Sequence, residues 1–367
     1  MSSSVFGWSL ATKMSVGHWA IRGSPQPWRP PAADLADGSS DLLTDMYTFV
    51  QSSLVFTDPP DHTRLRRLVI AAFVPAVINE LADPISVITN RLLDEHAESL
   101  DLAAHLAEPI PTVLGQLLGV SLSETEGHQL KRWCDDFLLP FGRDVSTLSP
   151  DELDRVRSAG EGLHGFVDTV LSRRAARGTD DVVGRLLAGE SEDRLSEPEL
   201  FANIVLLLIA GHENSTSMIG NGAAMLLELP EVRAELARDP SRWHAAIEEL
   251  MRLVSPNQFI RRQAREDVAV GDQTIRAGDT LLLMLAAANR DGEAFPDPDR
   301  FVFDRPQTVA LGHGIHYCLG APLARLEGRI ALQTVFERWP TVRQSGELVY
   351  VDNFNVRILR SLPVATS

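Results

Sequence analysis

The most chemically suggestive residues lie in Leu311-Gly312-His313-Gly314-Ile315-His316-Tyr317-Cys318-Leu319-Gly320, where three glycines surround one thiol. Glycine tolerates positive φ and lets backbone come close to a flat cofactor. A helical pattern starts at Ala321, so the N–H groups at its beginning point back towards Cys318. Those donors and their dipole favour thiolate over thiol, and Arg325 adds positive charge a turn or two into the helix. Haem ligation suits this arrangement, because a thiolate on haem iron pushes electron density to the metal and promotes O–O cleavage. Three other uses of the same residues stand beside it. Cys318 could be a small buried hydrophobe. His313, His316 and Cys318 could bind zinc, although a structural site needs a fourth ligand and no Cys-x-x-Cys pair accompanies them. His316 could serve as the base of a nucleophilic cysteine.

Further candidates lie upstream. The run Ile204 to Thr216 is apolar and then turns polar at Gly211-His212-Glu213-Asn214. An acid within a buried helix is costly unless it works or is paired, which singles out Glu213. Gly211 removes a side chain where a ligand could approach, and could permit a local kink. Glu249 and Arg252 stand three apart on one helical face, a spacing that surface ion pairs share. His62 and Arg66, four apart, also share a helix face and can reach one anionic group; a solvated basic face has the same pattern.

Taken in chain order, these segments resemble the cytochrome P450 superfamily, in its bacterial soluble type. The family pattern Phe-Gly-x-Gly-x-His-x-Cys-x-Gly is met at Gly312, Gly314, His316, Cys318 and Gly320. Leu311 replaces the leading Phe, which alters packing beside the sulfur and so the iron's reduction potential. The resemblance implies that Glu249, Arg252 and Arg300 form a buried structural triad behind the haem, with guanidinium forks suited to a bidentate network. It implies that His62, Arg66, Arg262 and His316 meet the haem propionates, and that Ala210 and Gly211 adjoin the cofactor. Glu213 fits the family's Ala-Gly-x-Asp/Glu-Thr helix, but Asn214 stands where threonine is usual. A hydroxyl can rotate its proton between partners; an amide donates and accepts but cannot do that. The expectation is that Glu213 relays protons while Asn214 or an ordered water organises the network, Ser215 and Thr216 being turned away by helical spacing. Pocket residues by the same resemblance are Ile204, Leu207, Phe259, Ile260 and Phe354, mostly apolar.

The function so implied is a haem b monooxygenase that activates dioxygen to hydroxylate or epoxidise a small organic substrate in secondary metabolism. Two other classes are kept: a P450-type enzyme of oxidative coupling, with its substrate held on a carrier protein, and a non-catalytic haem-binding or gas-sensing protein. Glu213 and Gly211 argue against the last. Electrons are expected from a ferredoxin or similar partner, docking on basic residues near Cys318 such as Arg64, Arg67 and Arg325.

The elements that must position these groups read as mainly helical with small β-sheets, in one domain over residues 1–367, with the haem between the long distal helix and the cysteine loop. Helical spacing covers Leu81 to Leu100, Leu106 to Leu118, Glu124 to Leu139, Glu152 to Arg174, Glu197 to Leu229, Trp243 to Leu253 and Ala321 to Arg338, with Ser196 as an N-cap. Pro140 to Pro150 reads as a loop. Val268 to Val270 and Thr280 to Met284 read as strands between glycine turns. Only 57 residues precede Asp58, fewer than the family usually has; Trp8 to Thr12 is expected as a strand, Met14 to Arg22 as a short helix, and the rest through Leu54 as pocket roof. A net charge of -16 from 34 basic and 50 acidic side chains disfavours nucleic acid and anionic membranes as partners. Two cysteines, Cys134 and Cys318, cannot staple a chain of this length. With no signal-peptide pattern and no apolar run of spanning length, the expected place is the cytoplasm.

Overall fold

The computed structural model describes residues 21–22, 46, 48–70, 73–107, 109, 122–141, 147–175, 194–305, 308–353 and 355–366. Its main helices are α1 (Asp61–Ile70), α2 (Ala82–Glu95), α3 (Glu124–Leu138), α4 (Pro150–Ala175), α5 (Glu197–Leu227), α6 (Pro230–Arg238), α7 (Trp243–Val254) and α8 (Ala321–Arg338). The strands are β1 (Ile21–Arg22), β2 (Ile260–Ala264), β3 (Val268–Val270), β4 (Gln273–Ile275), β5 (Thr280–Leu283), β6 (Arg343–Gln344), β7 (Val349–Tyr350), β8 (Leu359–Ser361) and β9 (Val364–Ala365). Mainly helix with small sheets is therefore the observed class. The expected strand Trp8 to Thr12, most of the roof segment before Leu54, the later part of Leu106 to Leu118, the middle of the Pro140 loop and pocket candidate Phe354 lie outside the described residues. One expectation is corrected at its described end. Ile21 and Arg22 are not helical but pair antiparallel with Ala264 and Gln263, because the edge of β2 offers their backbone groups a ladder.

Two compact units make up the chain, one of Met1–Arg22, Ile78–Val113 and Glu213–Ser367, the other of Gly23–Val77 and Leu114–His212. In the first, β2 lies between β1 and β5. Its core joins the end of α5 (Met218, Ile219, Ala223, Leu226) to α2 (Leu92, Leu93), α7 and α8. On α7, Trp243, Ala246, Ile247, Leu250, Met251 and Val254 recur at helical spacing and are all buried. That helix stops at Ser255, which adopts φ 43°, ψ 74°. This left-handed conformation is held by the Ser255 hydroxyl, which donates to the Arg252 carbonyl and accepts from Asn289 Nδ2, both at 2.8 Å.

In the second unit, each long helix opens on a capping box. Ser123 with Glu126, Ser149 with Glu152 and Ser196 with Glu199 exchange side-chain and backbone bonds at the starts of α3, α4 and α5. Glu199 also pairs with Arg64 of α1, so the cap of α5 is tied to the helix that carries His62 and Arg66. Asn203 binds the same region: its Oδ1 accepts from the Leu54 N–H at 3.0 Å and its Nδ2 donates to the Ser52 carbonyl at 2.9 Å. Among the described residues no single helix is long and apolar enough to cross a membrane.

Candidate active site

The cysteine loop is built outward from Asn289, a buried residue just after the short helical turn Leu285–Ala288. Asn289 Oδ1 accepts from the Thr308 hydroxyl at 2.8 Å and the Val309 N–H at 2.9 Å, which anchors the chain entering the loop. Gly312 N–H then donates to the Val309 carbonyl, and Cys318 N–H to the Leu311 carbonyl, each at 2.9 Å. Between these two bonds the chain reverses through Gly312 and Gly314 at φ 73° and 72°, a region where a side chain would be strained. The loop closes on itself and holds Cys318 half-buried, outside any disulfide. Leu311 accepts the thiol residue's N–H with its backbone, while its side chain packs on the main core; the family's aromatic position is thus filled by a smaller core contact.

The start of α8 follows three residues after Cys318, so the helix's unpaired N–H groups and dipole favour a thiolate there. Arg325 behaves differently from the expectation. It pairs with Glu248 through Nε, and its Nη2 donates to the Tyr317 hydroxyl at 3.1 Å. The hydrogen bond to Glu248 raises its already high pKa. Its charge is therefore offset, and it braces Tyr317 beside the cysteine instead of acting as an unneutralised cation.

Behind the loop, Glu249 and Arg252 are 2% and 1% exposed, and the pair is bidentate: Nε to Oε2 at 2.7 Å and Nη2 to Oε1 at 2.8 Å. Arg252 Nη1 also donates to the carbonyls of Asn289 and Pro298, each at 2.7 Å. The third member is Arg305 and not Arg300. Arg305 Nε donates to Glu249 Oε1 at 3.1 Å, whereas the Arg300 side chain is 76% exposed and lies 3.8 Å from Asp297. Arg300 contributes only its carbonyl, which accepts from Arg252 at 3.2 Å and Arg305 at 3.3 Å. The reason is a reversal at Asp304, whose φ of 60° turns the following residue back towards Glu249.

On α5 the helix runs unbroken through Gly211. Burial nevertheless lapses in mid-helix: Ala210 is exposed and Gly211 to Asn214 are half-buried, between buried stretches on either side. Burial, aided by Lys131 and His128 nearby, pushes His212 down to about 3, so it is neutral near pH 7. Ser215 takes a different partner from Asn214. The Ser215 hydroxyl donates to Glu327 Oε2 on α8 at 2.6 Å. Asn214 Oδ1 accepts from Asn257 Nδ2 at 2.7 Å. Of the pocket candidates, Ile204 is fully buried within α5 and Leu207 half-buried; Phe259 and Ile260 are half-buried at the start of β2.

Arg262 is half-buried in β2 opposite Leu281, and His316 is half-buried in the turn before Cys318. In the other unit, His62 is buried and its pKa is lowered first by burial and then by Arg66, with Asp58 opposing. A buried imidazole beside a guanidinium suits an anionic guest, which would compensate both. No group of three or more His, Cys, Asp or Glu among the described residues is arranged to hold a metal ion, so the zinc alternative lacks its ligands. A single thiolate would suit a metal carried in a group that supplies its other ligands, and a Cβ at Gly320 would meet nothing within 4 Å. The donor set therefore fits haem.

Sequence reasoning passed over Arg305, Asn257 and Glu327. For Glu327 a signal existed: Leu323, Glu327 and Ala331 fall four apart on the buried face of α8, so an acid interrupts an apolar stripe. Arg305 and Asn257 lie in irregular segments that carry no period.

Comparison with known proteins agrees with this chemistry. The family model described as cytochrome P450 matches residues 243–348. The vitamin D(3) 25-hydroxylase of Pseudonocardia autotrophica is 40% identical over 336 residues, covering 88% of this chain and 80% of that protein. The 6-deoxyerythronolide B hydroxylase of Saccharopolyspora erythraea is 34% identical over 330 residues, covering 87% and 79%. Among solved structures, P450BioI in complex with an acyl carrier protein ligated to hexadec-9Z-enoic acid superposes with a TM-score of 0.84 at 30% identity, over 98% of this chain and 90% of that one.

Proposed function

The chain belongs to the cytochrome P450 family and is a haem b monooxygenase; we propose that its reaction is the hydroxylation or epoxidation of a small, largely apolar organic substrate in secondary metabolism. The observation that carries this is the lone half-buried thiol of Cys318 on its closed glycine loop, together with hydroxylases among the relatives. When bound, the haem supplies the redox chemistry: with two electrons and two protons, one atom of dioxygen enters the substrate and the other leaves as water.

In this reading Cys318 is the iron's thiolate ligand, kept ionised by the start of α8 and by its place on the loop. Arg262, His316, His62 and Arg66 meet the haem carboxylates, and residues 1–367 make up one P450 domain. Ala210 and Gly211 leave room on the oxygen side of the cofactor. Glu213 takes up protons from solvent and passes them inward; Asn214 orients the oxygen-side hydrogen bonds. Ile204, Leu207, Phe259, Ile260 and Phe354 give the substrate an apolar surround that excludes water. The triad of Glu249, Arg252 and Arg305 holds the cysteine loop in register and touches no reactant. A ferredoxin or similar protein supplies the electrons. Because the structural relative binds a carrier-tethered acyl chain, a carrier-bound substrate is a second form of delivery.

The absorption spectrum of the reduced, carbon-monoxide-bound protein tests the ligand: a strongly red-shifted thiolate–haem band is expected, lost in Cys318→Ser. Its absence from the wild type would overturn the account. Oxidative coupling is kept as a second reading on one observation, Asn214 in place of threonine. Replacing Asn214 by Thr and measuring product per electron separates the two. A rise in yield supports oxygen insertion, and an unchanged yield favours coupling.

A further inference from the structure

Asn214 is the end of a chain of three side-chain amides. Asn257 Nδ2 donates to Asn214 Oδ1 at 2.7 Å, and Asn355 Nδ2 donates to Asn257 Oδ1 at 3.4 Å. The backbone N–H of Phe259 donates to Asn355 Oδ1 at 3.3 Å. These links span 43 and 98 residues of sequence, and they join α5 to the segment between α7 and β2 and to the loop before β8. Asn355 is itself held at both ends: its N–H donates to Asn353 Oδ1 at 2.9 Å, and its carbonyl accepts from Gln258 N–H at 2.8 Å. Next to it, Asn257 and Val356 form an antiparallel bridge.

The direction of this chain is not arbitrary. A primary amide can exchange its oxygen and nitrogen when its partners can do the same. Here one end is a backbone N–H, which only donates. Asn355 must therefore turn Oδ1 to Phe259 and Nδ2 to Asn257. Asn257 must answer with Oδ1, which leaves its Nδ2 for Asn214. Asn214 in turn must accept through Oδ1, and its own N–H groups are directed elsewhere. The polarity set by one backbone group is transmitted through two side chains to the helix residue beside Glu213.

We propose that Asn257 is a positioning residue that fixes Asn214 as a hydrogen-bond donor on the oxygen side of the haem. The inference rests on the reading that Asn214 faces that side. A threonine hydroxyl both donates and accepts; an amide whose oxygen is turned to Asn257 presents its N–H groups, which only donate, to the other side. Asn214 would then offer hydrogen-bond donors on that side but pass no proton, and proton delivery falls to Glu213. The anchor of the chain lies at Phe259, one of the pocket residues, so the device is built on the pocket wall.

The test uses the haem-loaded protein and the C–O stretching frequency of its reduced carbon monoxide adduct, measured by infrared at mildly alkaline pH. That frequency falls when a donor points at the ligand oxygen and rises when a lone pair does. Asn214→Leu should raise it; no shift in this variant sinks the reading on which the inference rests. Asn257→Asp replaces the donor by an acceptor and forces the Asn214 amide to turn over. It should raise the frequency at least as far as Asn214→Leu, and should add nothing in the Asn214→Leu background. Asn257→Leu, close in volume, frees the Asn214 amide and should broaden or split the band, which keeps the test open if the Asp variant does not load haem. If Asn214→Leu shifts the band while both Asn257 variants keep the wild-type frequency, the inference is overturned and the reading of Asn214 survives.

Discussion

Arg305→Ala should destabilise the haem-loaded protein by about 2–4 kcal/mol, whereas Arg300→Ala should change stability by no more than about 0.5 kcal/mol. The contrast follows from where the two guanidinium groups sit. The Arg305 side chain is 8% exposed and bonds the buried Glu249 carboxylate at 3.1 Å. It also donates to the carbonyls of Pro296 at 2.6 Å, Asp297 at 2.9 Å and Arg300 at 3.3 Å. A bond to a buried charged group is worth about 1.5–3 kcal/mol, and the carbonyl bonds add less because water replaces part of them. The loss stays below the value for breaking a whole buried pair because Arg252 still holds Glu249. Arg300 has only an exposed contact at 3.8 Å, and its structural carbonyl survives the substitution. Thermal unfolding of the two variants beside the wild type measures the difference; at about 2–4 °C per kcal/mol, as for somewhat smaller domains, Arg305→Ala should melt several degrees lower. Arg305→Lys should recover only part of the loss, since an ammonium lacks the fork that reaches carboxylate and carbonyls at once. Equal loss in Arg300→Ala and Arg305→Ala would refute the assignment of the triad.

Other outcomes follow from single contacts. Burial raises the Glu327 carboxyl from 4.5 to about 7, against a lowering hydrogen bond from Ser215. A raised carboxyl favours the folded state below its unfolded pKa and loses that advantage as pH climbs through the folded one. The wild type should thus lose about 3 kcal/mol between pH 4.5 and 7 through this group. Glu327→Gln should flatten that limb of the stability–pH curve, and an unchanged curve would show that the acid is not buried uncharged. On α4, a Cβ at Gly162 would lie 2.3 Å from the Trp133 ring, so Gly162→Ala should cost about 1–3 kcal/mol by overpacking, less the ~1 kcal/mol gained in helix propensity. Gly165→Ala on the same helix meets nothing within 4 Å and should stabilise by about 0.5–1 kcal/mol; denaturant midpoints of the two variants should move in opposite directions.

Sequence alone was enough wherever chemistry is local. Helical spans follow from the period of apolar residues, as α8 shows by running over Ala321–Arg338 as expected. The Ser196 cap, the Glu249–Arg252 pair and the cysteine loop are set by neighbours within about one turn or one tight reversal, so their residue types already contain their geometry. Tertiary structure decided the partners that come from far along the chain. Arg300 and Arg305 are chemically alike and five residues apart in a loop with no period, and only the turn at Asp304 selects which one meets Glu249. Asn214 pairs with Asn257, and Ser215 with Glu327, across 43 and 112 residues. Such pairs exist because burial removes solvent, wholly at Ser215 and Glu327 and in part at Asn214 and Asn257, so each polar group takes the partner the packing brings. Cys318 could be recognised in the sequence; the hydrogen-bond direction of Asn214 depends on a backbone N–H at Phe259 that only the folded chain sets beside Asn355.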